Sequence, residues 1–323
     1  MEIFEAIMSL KTIGIIEIPG ATGSAFDHGA FDPKTRRVFV AHTARDSVEV
    51  IDHDAGSHIA TLPGFPEAAG VVAEDGSVLV TNRGAASLAW LDGQNLKTQA
   101  VFKTGPRPNG VALAPRQSLA IVASIGDENQ GPRLEVLSRY GNRFVVDLPG
   151  RPRWCVTDAA AERIFLAIRD PSMVFVARLP TLRDVEHWKL PSGGAHGLDI
   201  DHRRGRLYVA CDEGALVEVD ISAGAASHEW PIAGVPDATF FNPANGLVHV
   251  AIGEPGLVQT IDPRTGASIK TVTAMGAHTT AFVAPDMLYV FSPAHGGALV
   301  LADGQSDSTS VDPPNQRLAA RSA

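Results

Sequence analysis

Three histidines and one aspartate stand at equivalent places in a repeating pattern of the sequence. His28, His196 and His278 each precede a short strand-like segment, and Asp237 precedes a fourth. Imidazole nitrogen and carboxylate oxygen are common ligands of transition metals, and the carboxylate offsets part of the charge of the metal. If the fold brings these four side chains together, they predict a site for a divalent transition metal ion, with zinc, manganese, iron and nickel all open.

The repeat that carries these residues has a period of 40 to 44 residues. Residues 194–220 read as three short strands, two with alternating apolar positions and one continuous apolar run, separated by polar turns. The end of the second strand recurs seven times along the chain, at a spacing typical of four-stranded propeller blades. These seven landmark residues are Val40, Val80, Val122, Leu166, Val209, Val250 and Val290.

The repeat predicts an all-β fold, a seven-bladed β-propeller of four-stranded antiparallel blades within one domain, residues 1–303. The last repeat has only three strands, whereas residues 11–19 form a strand with no blade in front of it. We therefore expect 11–19 to complete the last blade and close the ring. Residues 304–323 are polar, contain Pro-Pro and are expected to form a flexible tail. The blades are expected to begin near residues 28, 67, 109, 153, 196, 237 and 278.

Composition narrows the possible partners. A formal net charge of -9 argues against a general nucleic-acid or anionic-membrane binder. Cys155 and Cys211 lie in different repeats and give no disulfide framework. The sequence has no apolar run of about 18 residues and no signal-peptide pattern at residues 1–11, so a cytoplasmic location is expected. A closed ring leaves no free sheet edges, so a monomer is expected.

Propeller topology places the candidate residues on one face. The first strand of each blade is innermost, so its first residue rims the central channel, and the turn between the second and third strands lies at the same end. Blades 5, 6, 7 and 1 are consecutive around the ring, so the four predicted metal ligands share one arc. His28 and His278 stand 12 residues before their landmarks rather than 13, so Asp27 and Ala277 are the alternative rim positions. The rim from blade 1 to blade 7 is predicted to be His28, Glu67, Asn109, Arg153, His196, Asp237 and His278.

The remaining arc carries candidates for substrate binding and proton transfer. Arg153 can clamp a carboxylate or phosphate through its bidentate fork, or stack on the neighbouring Trp154. Glu67 is a candidate fifth ligand or general base for a metal-bound water. Asn109 stands beside Arg153 on the rim and is a candidate for substrate contact.

The turns that follow the second strands supply further candidates on the same face. His42 is predicted to move protons, or to serve as an outer ligand or a partner of one. His295 has the same possibilities and is assigned to substrate binding. Arg83 and Arg169 are expected to shape the outer wall of the substrate site.

Several motifs resemble those of the YVTN, or YncE-like, propeller family. The segment 79–82 reads LVTN, with degenerate copies FVAH at 39–42, LYVA at 207–210 and LYVF at 288–291. The turns DPKTRR, DHRRGR and NPANG and the strand ends VEVID, VEVD and QTID support the resemblance. It implies the seven-bladed fold over almost the whole chain. For function it implies either a binding module or, as in related lactonase-like and lyase-like propellers, a metal-dependent enzyme; export, frequent in the family, is not supported by residues 1–11.

The sequence therefore favours a metal-dependent hydrolase or lyase that acts on a small anionic molecule at the channel mouth. The metal would polarise a carbonyl or activate a water molecule. The alternative is a non-catalytic propeller that binds a protein or a ligand on the same face. The chain contains no GxSxG elbow, phosphate-binding glycine loop or CxxC pair, so those chemistries are not indicated.

Overall fold

The computed structural model describes residues 10–114, 118–158, 160 and 162–303. Within these residues, 28 strands form seven separate four-stranded antiparallel sheets. The helical structure described consists of two single 3₁₀ turns, Thr43–Arg45 and Arg83–Ala85, and no described helix is long and apolar enough to cross a membrane. The predicted all-β, seven-bladed propeller is confirmed.

Within each blade the strands run from the innermost to the outermost in chain order, except that β1 is the outermost strand of blade 7. Blade 1 contains β2 (Gly29–Asp32), β3 (Arg37–His42), β4 (Ser47–Asp52) and β5 (Ser57–Pro63). Blade 2 contains β6 (Ala68–Glu74), β7 (Ser77–Asn82), β8 (Ser87–Asp92) and β9 (Thr98–Lys103). Blade 3 contains β10 (Pro108–Ala114), β11 (Leu119–Ser124), β12 (Arg133–Ser138) and β13 (Arg143–Asp147). Blade 4 contains β14 (Pro152–Thr157), β15 (Arg163–Ile168), β16 (Met173–Arg178) and β17 (Arg183–Lys189). Blade 5 contains β18 (Ala195–Asp201), β19 (Arg206–Cys211), β20 (Ala215–Asp220) and β21 (Ala225–Pro231). Blade 6 contains β22 (Pro236–Asn242), β23 (Leu247–Ile252), β24 (Leu257–Ile261) and β25 (Ser268–Val272). Blade 7 contains β26 (Thr279–Val283), β27 (Met287–Ser292), β28 (Gly297–Ala302) and β1 (Lys11–Glu17).

Burial within a blade follows the position of the strand. The second and third strands are covered on both faces by neighbouring blades, so they are almost continuously apolar; in β3, for example, only Arg37 is partly exposed. The outermost strands are mostly exposed, and in β5 exposed and half-buried residues alternate along the whole strand. The core therefore consists of apolar layers between successive blades rather than one central cluster.

The N-terminal strand closes the ring. β1 pairs antiparallel with β28, with Lys11 opposite Ala302 and Glu17 opposite Gly297. Ile16 and Ile18 are buried in the layer between blades 7 and 1, whereas Ile13 and Ile15 remain exposed. The predicted completion of the last blade by an N-terminal strand is confirmed, and this strand ends at Glu17 rather than at the expected residue 19. The predicted tail, 304–323, lies outside the described residues, as do residues 1–9.

The pairing register of blade 2 corrects one predicted rim position. In blades 3 to 6 the landmark residue pairs with an inner-strand residue eleven positions earlier, as Val111 pairs with Val122. In blade 2 Val71 pairs with Val80, only nine positions later, because the strands are joined by a two-residue Asp-Gly turn, Asp75–Gly76, with positive φ at both residues. Counting back a fixed distance from Val80 therefore reaches Glu67, two residues too early, and the equivalent position is Ala69.

The sequence left two possible rim residues in blade 1, His28 or Asp27, and two in blade 7, His278 or Ala277. The pairing register decides between them. Gly29 pairs with Val40, eleven positions later, so Asp27 holds the rim position of blade 1 and His28 follows it. Thr280 pairs with Val290, ten positions later, so the hairpin is one residue shorter and His278 does hold the rim position of blade 7. The rim from blade 1 to blade 7 is Asp27, Ala69, Asn109, Arg153, His196, Asp237 and His278.

Glycines beside the rim let neighbouring inner strands approach each other closely. A Cβ atom on Gly110 would lie 2.3 Å from the carbonyl oxygen of Arg153, and one on Gly197 would lie 2.2 Å from the carbonyl oxygen of Asp237. Both distances are far below van der Waals contact, so glycine is needed there for lack of space. These contacts fix the rim residue of each following blade.

Candidate functional site

Six of the seven rim residues, all except Ala69, line one cavity of about 240 Å³ at the channel mouth. One half of its wall carries acids and histidines, and the other carries arginines. The acid–histidine half consists of Asp27, His28, His196, Asp237 and His278. The arginine half consists of Arg83, Arg107, Arg151 and Arg153, and Asn109, Ile125 and Trp154 complete the lining.

Asp237 is the centre of the acid–histidine half. One of its carboxylate oxygens accepts a short hydrogen bond from Nδ1 of His278. The other lies 3.4 Å from Nε2 of His196 and 3.5 Å from the indole nitrogen of Trp154. Burial alone would raise the pKa of Asp237, but its contacts with the two histidines hold that pKa well below the usual range. Asp237 is therefore a carboxylate that two imidazoles share.

His278 is suited to proton transfer. Its hydrogen bond to Asp237 raises the pKa of the imidazole, against the opposing effect of burial. The side chain is 40% exposed and lines the cavity, and within the described chain its Nε2 atom has no protein partner. Because Asp237 engages Nδ1, Nε2 is the ring nitrogen left to exchange a proton with a bound molecule.

His196 connects Asp237 to a second acid. Its Nδ1 atom lies 2.8 Å from Asp212, which also accepts a 2.5 Å hydrogen bond from Nε of Arg169. Burial lowers the pKa of His196, but the hydrogen bonds with Asp212 and Asp237 outweigh burial and raise it. Arg169 is not part of the cavity lining, and its hydrogen bond to Asp212 connects it to the site.

His28 stacks on Trp154, with ring centroids 4.0 Å apart and planes inclined by 23°. Its Nε2 atom is 3.3 Å from Asp27, yet burial lowers the pKa of this imidazole. Trp154 thus stacks on a histidine, and its stacking on Arg153, considered above, is not observed. Asp27 also accepts a 2.6 Å hydrogen bond from Arg83, which donates a second, short one to the side-chain oxygen of Asn109.

Arg153 is a partly buried cation without a protein partner. Within the described residues its guanidinium forms no hydrogen bond or ion pair, and its Nε atom is fully buried and unsatisfied. Burial, and then the positive charge of Arg151, lower its pKa to about 10, which still leaves it protonated at neutral pH. A buried, unpaired guanidinium is costly unless a ligand pairs with it. Arg153 therefore points to an anionic ligand.

Three residues expected at this site lie elsewhere. Glu67 is exposed and does not line the cavity, because of the short turn in blade 2. His42 is fully buried between Glu49 and Ser24, at 2.7 Å from each, so both its ring nitrogens serve the packing of blade 1. His295 is exposed, contacts Ser292 at 2.8 Å and borders a different groove beside the closing strand. The assigned catalytic roles of Glu67 and His42, and the substrate role of His295, have no support from these positions.

Two arginines of the cavity were not predicted. Arg107 and Arg151 each stand two residues before a rim residue, in the segments Arg107-Pro108-Asn109 and Arg151-Pro152-Arg153. The Arg-Pro pair recurs at the same place in consecutive blades, and this signal could have identified them. Rim counting missed them because they belong to the connection that enters each inner strand.

The predicted metal ligands are brought together, but they bind one another. Among the described residues no group of three or more His, Cys, Asp or Glu is placed to hold a metal ion. Asp237 accepts a hydrogen bond from His278 and lies 3.4 Å from Nε2 of His196, and both ring nitrogens of His196 face carboxylates. In this arrangement the four side chains do not fit a metal ion, which needs three or four converging donors. The metal site expected from the sequence therefore has no support from these positions, and no step below uses a metal.

Comparisons with known proteins support the fold. No family model and no curated protein matches the chain, so the likeness to the YVTN family remains a resemblance. A streptogramin B lyase structure is similar at 13% identity and a TM-score of 0.74, covering 91% of this chain and 96% of that one. Virginiamycin B lyase from Staphylococcus aureus is 13% identical with a TM-score of 0.72, covering 91% and 99%. Hydrazine synthase from Kuenenia stuttgartiensis is 12% identical with a TM-score of 0.75, covering 90% and 97%. The chain is thus a seven-bladed β-propeller. At such low sequence identities, the structural similarity shows a common fold and nothing about activity.

Proposed function

We propose that the channel-mouth cavity is the active site of a lyase that removes a proton from a small anionic molecule. The observation that carries the proposal is the presence, in one cavity, of an unpaired Arg153 and a His278 whose ring is held by Asp237. Arg153 can bind an anion, and His278 can accept a proton. Together they supply the two functions that an elimination requires.

Arg153 binds the anionic group of the substrate. A guanidinium forms two parallel charge-assisted hydrogen bonds with a carboxylate, which fixes the position as well as the affinity of the ligand. When a proton leaves the carbon next to that carboxylate, negative charge develops on its oxygens. A preorganised cation in a partly buried site stabilises this charge in the transition state more than water does.

His278 takes the proton. Its Nε2 atom accepts the proton as the carbon–hydrogen bond breaks, and the electron pair of that bond forms the new carbon–carbon double bond. The leaving group on the next carbon departs with the electron pair of its own bond. Asp237 fixes the tautomer of the ring and stabilises the imidazolium that results.

Two of the similar structures are named as lyases, which favours elimination over the hydrolysis also considered above. This support is an analogy at the level of the fold. The alternative, a propeller that binds a ligand without converting it, uses the same Arg153 but has no need for the His278–Asp237 pair.

Proton exchange in deuterium oxide tests the proposal. Malate, aspartate and 3-phosphoglycerate each carry a proton next to a carboxylate and a leaving group on the next carbon. Nuclear magnetic resonance is used to follow the loss of that proton signal and the appearance of alkene signals. We expect exchange with at least one of these probes, and a loss of about 100-fold or more in His278→Gln. The matched control is His295→Gln, outside the cavity, which should exchange at the wild-type rate.

Two results would count against the lyase. Exchange at an unchanged rate in His278→Gln would remove the proposed base. Binding of the probes without any exchange would favour the non-catalytic alternative.

A further inference from the structure

The arginine half of the cavity contains more positive charge than a singly charged ligand would neutralise. Four arginine side chains line the cavity, against the two carboxylates of Asp27 and Asp237. With neutral histidines, the formal excess is two positive charges. This excess stands in a chain whose formal net charge is -9, so it is a local feature of the channel mouth.

The arginines differ in how they are paired. Arg83 is held by Asp27 and Asn109 and so forms part of the wall. Arg107, Arg151 and Arg153 form no side-chain hydrogen bond or ion pair within the described part of the chain. Arg107 and Arg151 are exposed at the mouth, whereas Arg153 lies deeper and has its Nε atom buried. Three guanidiniums are therefore available to a ligand, two at the mouth and one deeper in the cavity.

Mutual repulsion among these arginines is visible in their electrostatics. Burial lowers the pKa of Arg151, and the nearby charges of Arg169 and Arg107 lower it further. Asp212 offsets only part of this repulsion on Arg151, and Asp27 is already engaged by Arg83. An anion in the cavity would relieve it, and a doubly charged anion would neutralise the formal excess.

We propose that the substrate carries a compact dianion, a phosphate monoester or a pair of neighbouring carboxylates, bound by Arg107, Arg151 and Arg153. The proposal rests on the proposed function in taking this cavity as the substrate site. A phosphate monoester and a pair of neighbouring carboxylates both place two negative charges close enough together to fit in this one cavity. Arginine suits it because each guanidinium presents a planar fork that matches carboxylate and phosphate oxygens.

Calorimetric titration with three simple anions tests the dianion. Phosphate, malonate and acetate are compared at one ionic strength and at about pH 8, where phosphate is dianionic. We expect phosphate or malonate to bind at least about tenfold more tightly than acetate, since the second charge adds a charge-assisted contact. Phosphate ahead of malonate indicates a phosphate monoester, and malonate ahead of phosphate indicates a dicarboxylate. Equal affinity for all three anions would overturn the proposal.

Variants locate the binding. Arg153→Gln and Arg151→Gln should each reduce the preference for the dianion by about tenfold. The matched control is Arg203→Gln, an exposed arginine in the turn between β18 and β19 at the opposite end of the channel, which should bind as the wild type does. A preference that survives in both cavity variants would place the dianion elsewhere and overturn the proposal. Thermal melts of all variants separate loss of binding from loss of folding.

The proton-exchange experiment separates this inference from the lyase proposal. Tight dianion binding without exchange of any probe supports the dianion site and removes the lyase. Exchange of at least one probe, with acetate bound as tightly as phosphate and malonate, removes the dianion and keeps the lyase.

Discussion

Glu49 is a fully buried carboxylate that accepts hydrogen bonds from four side chains. Its partners are His42 at 2.7 Å, His58 at 2.9 Å, Thr61 at 2.5 Å and Ser47 at 3.0 Å. Burial alone would raise the pKa of Glu49, but these bonds lower it from 4.5 to about 2. Because the folded-state pKa is depressed, the contribution of Glu49 to stability is present above the ordinary value and is lost as the pH falls from about 4.5 to about 2.

We therefore expect Glu49→Gln to lower the free energy of unfolding at pH 7 by about 2–3 kcal/mol. The difference from the wild type should shrink as the pH falls below about 4, since the wild-type carboxylate then becomes protonated. Urea denaturation at a series of pH values measures both effects. Glu128→Gln, at an exposed glutamate, is the control and should follow the wild type. A deficit in Glu49→Gln that does not depend on pH would contradict this account.

Metal content is a second prediction for individual side chains. Because Asp237 and His196 are engaged with each other and with His278 and Asp212, we expect no stoichiometric transition metal in the purified protein. Chelator treatment should leave the melting temperature and proton exchange unchanged. Elemental analysis checks this directly. A stoichiometric metal that disappears in His196→Ala and His278→Ala would establish the metal site predicted from the sequence.

Residue types indicated the candidate site only in part. Seven of the residues predicted from the sequence do line one cavity, because each stands at a repeat position that the fold turns towards the channel. They are His28, Arg83, Asn109, Arg153, His196, Asp237 and His278. Their pairing could not be predicted, since hydrogen-bond partners depend on side-chain geometry that periodicity does not contain. His42 illustrates the limit: its place at the end of a second strand suggested the site, but Glu49 and Ser24 form hydrogen bonds with it away from the cavity.

At the scale of strands and turns, inner-strand glycines position the rim. A Cβ atom on Gly110 would meet the carbonyl oxygen of Arg153 at 2.3 Å, and one on Gly197 would meet that of Asp237 at 2.2 Å. Gly110→Ala and Gly197→Ala should each lower the free energy of unfolding by about 1–3 kcal/mol, because the neighbouring inner strand must move. Gly14→Ala is the matched control, since a Cβ atom there has no neighbour within 4 Å. Thermal unfolding of the three variants checks this order, and equal melting temperatures would contradict it.

The length of a single turn explains the error in the predicted rim residue of blade 2. Counting from the landmark residues assumes one hairpin length in all blades, and blade 2 departs from it by two residues at Asp75–Gly76. An Asp-Gly pair is a strong signal for a two-residue hairpin, so the departure is readable from the sequence once each turn is considered by itself. Once the shorter turn is taken into account, the rim position of blade 2 falls on Ala69 instead of Glu67.

At the scale of the whole molecule, stability depends on the seam between β1 and β28. Ile16 is 7% exposed and packs between blades 7 and 1, whereas Ile13, on the same strand, is 58% exposed. We expect Ile16→Asp to lower the free energy of unfolding by about 3 kcal/mol or more, because it buries an unpaired charge. Ile13→Asp should change it by less than about 0.5 kcal/mol. Denaturant titration of the pair measures the contribution of the seam, and similar losses in both variants would contradict it.

The ring itself was predictable because it is repetitive. Each of seven segments carries the same alternation of strands and turns, so one correctly interpreted repeat gives the whole architecture. The closing strand could be predicted by counting strands, because the chain begins with one strand that belongs to no repeat and its last repeat contains only three strands. The site has no such repetition. Each blade contributes a single rim residue, and its role must be inferred separately.

The register of the seam also determines how the ring would respond to mechanical force. Lys11, at the start of β1, is paired with Ala302, at the end of β28. Tension applied between these two residues would load this first pair alone and break the hydrogen bonds in succession towards Glu17 and Gly297. Such unzipping needs less force than the simultaneous rupture of a sheared pair. The strand that closes the ring is therefore also the point at which a pulled molecule opens.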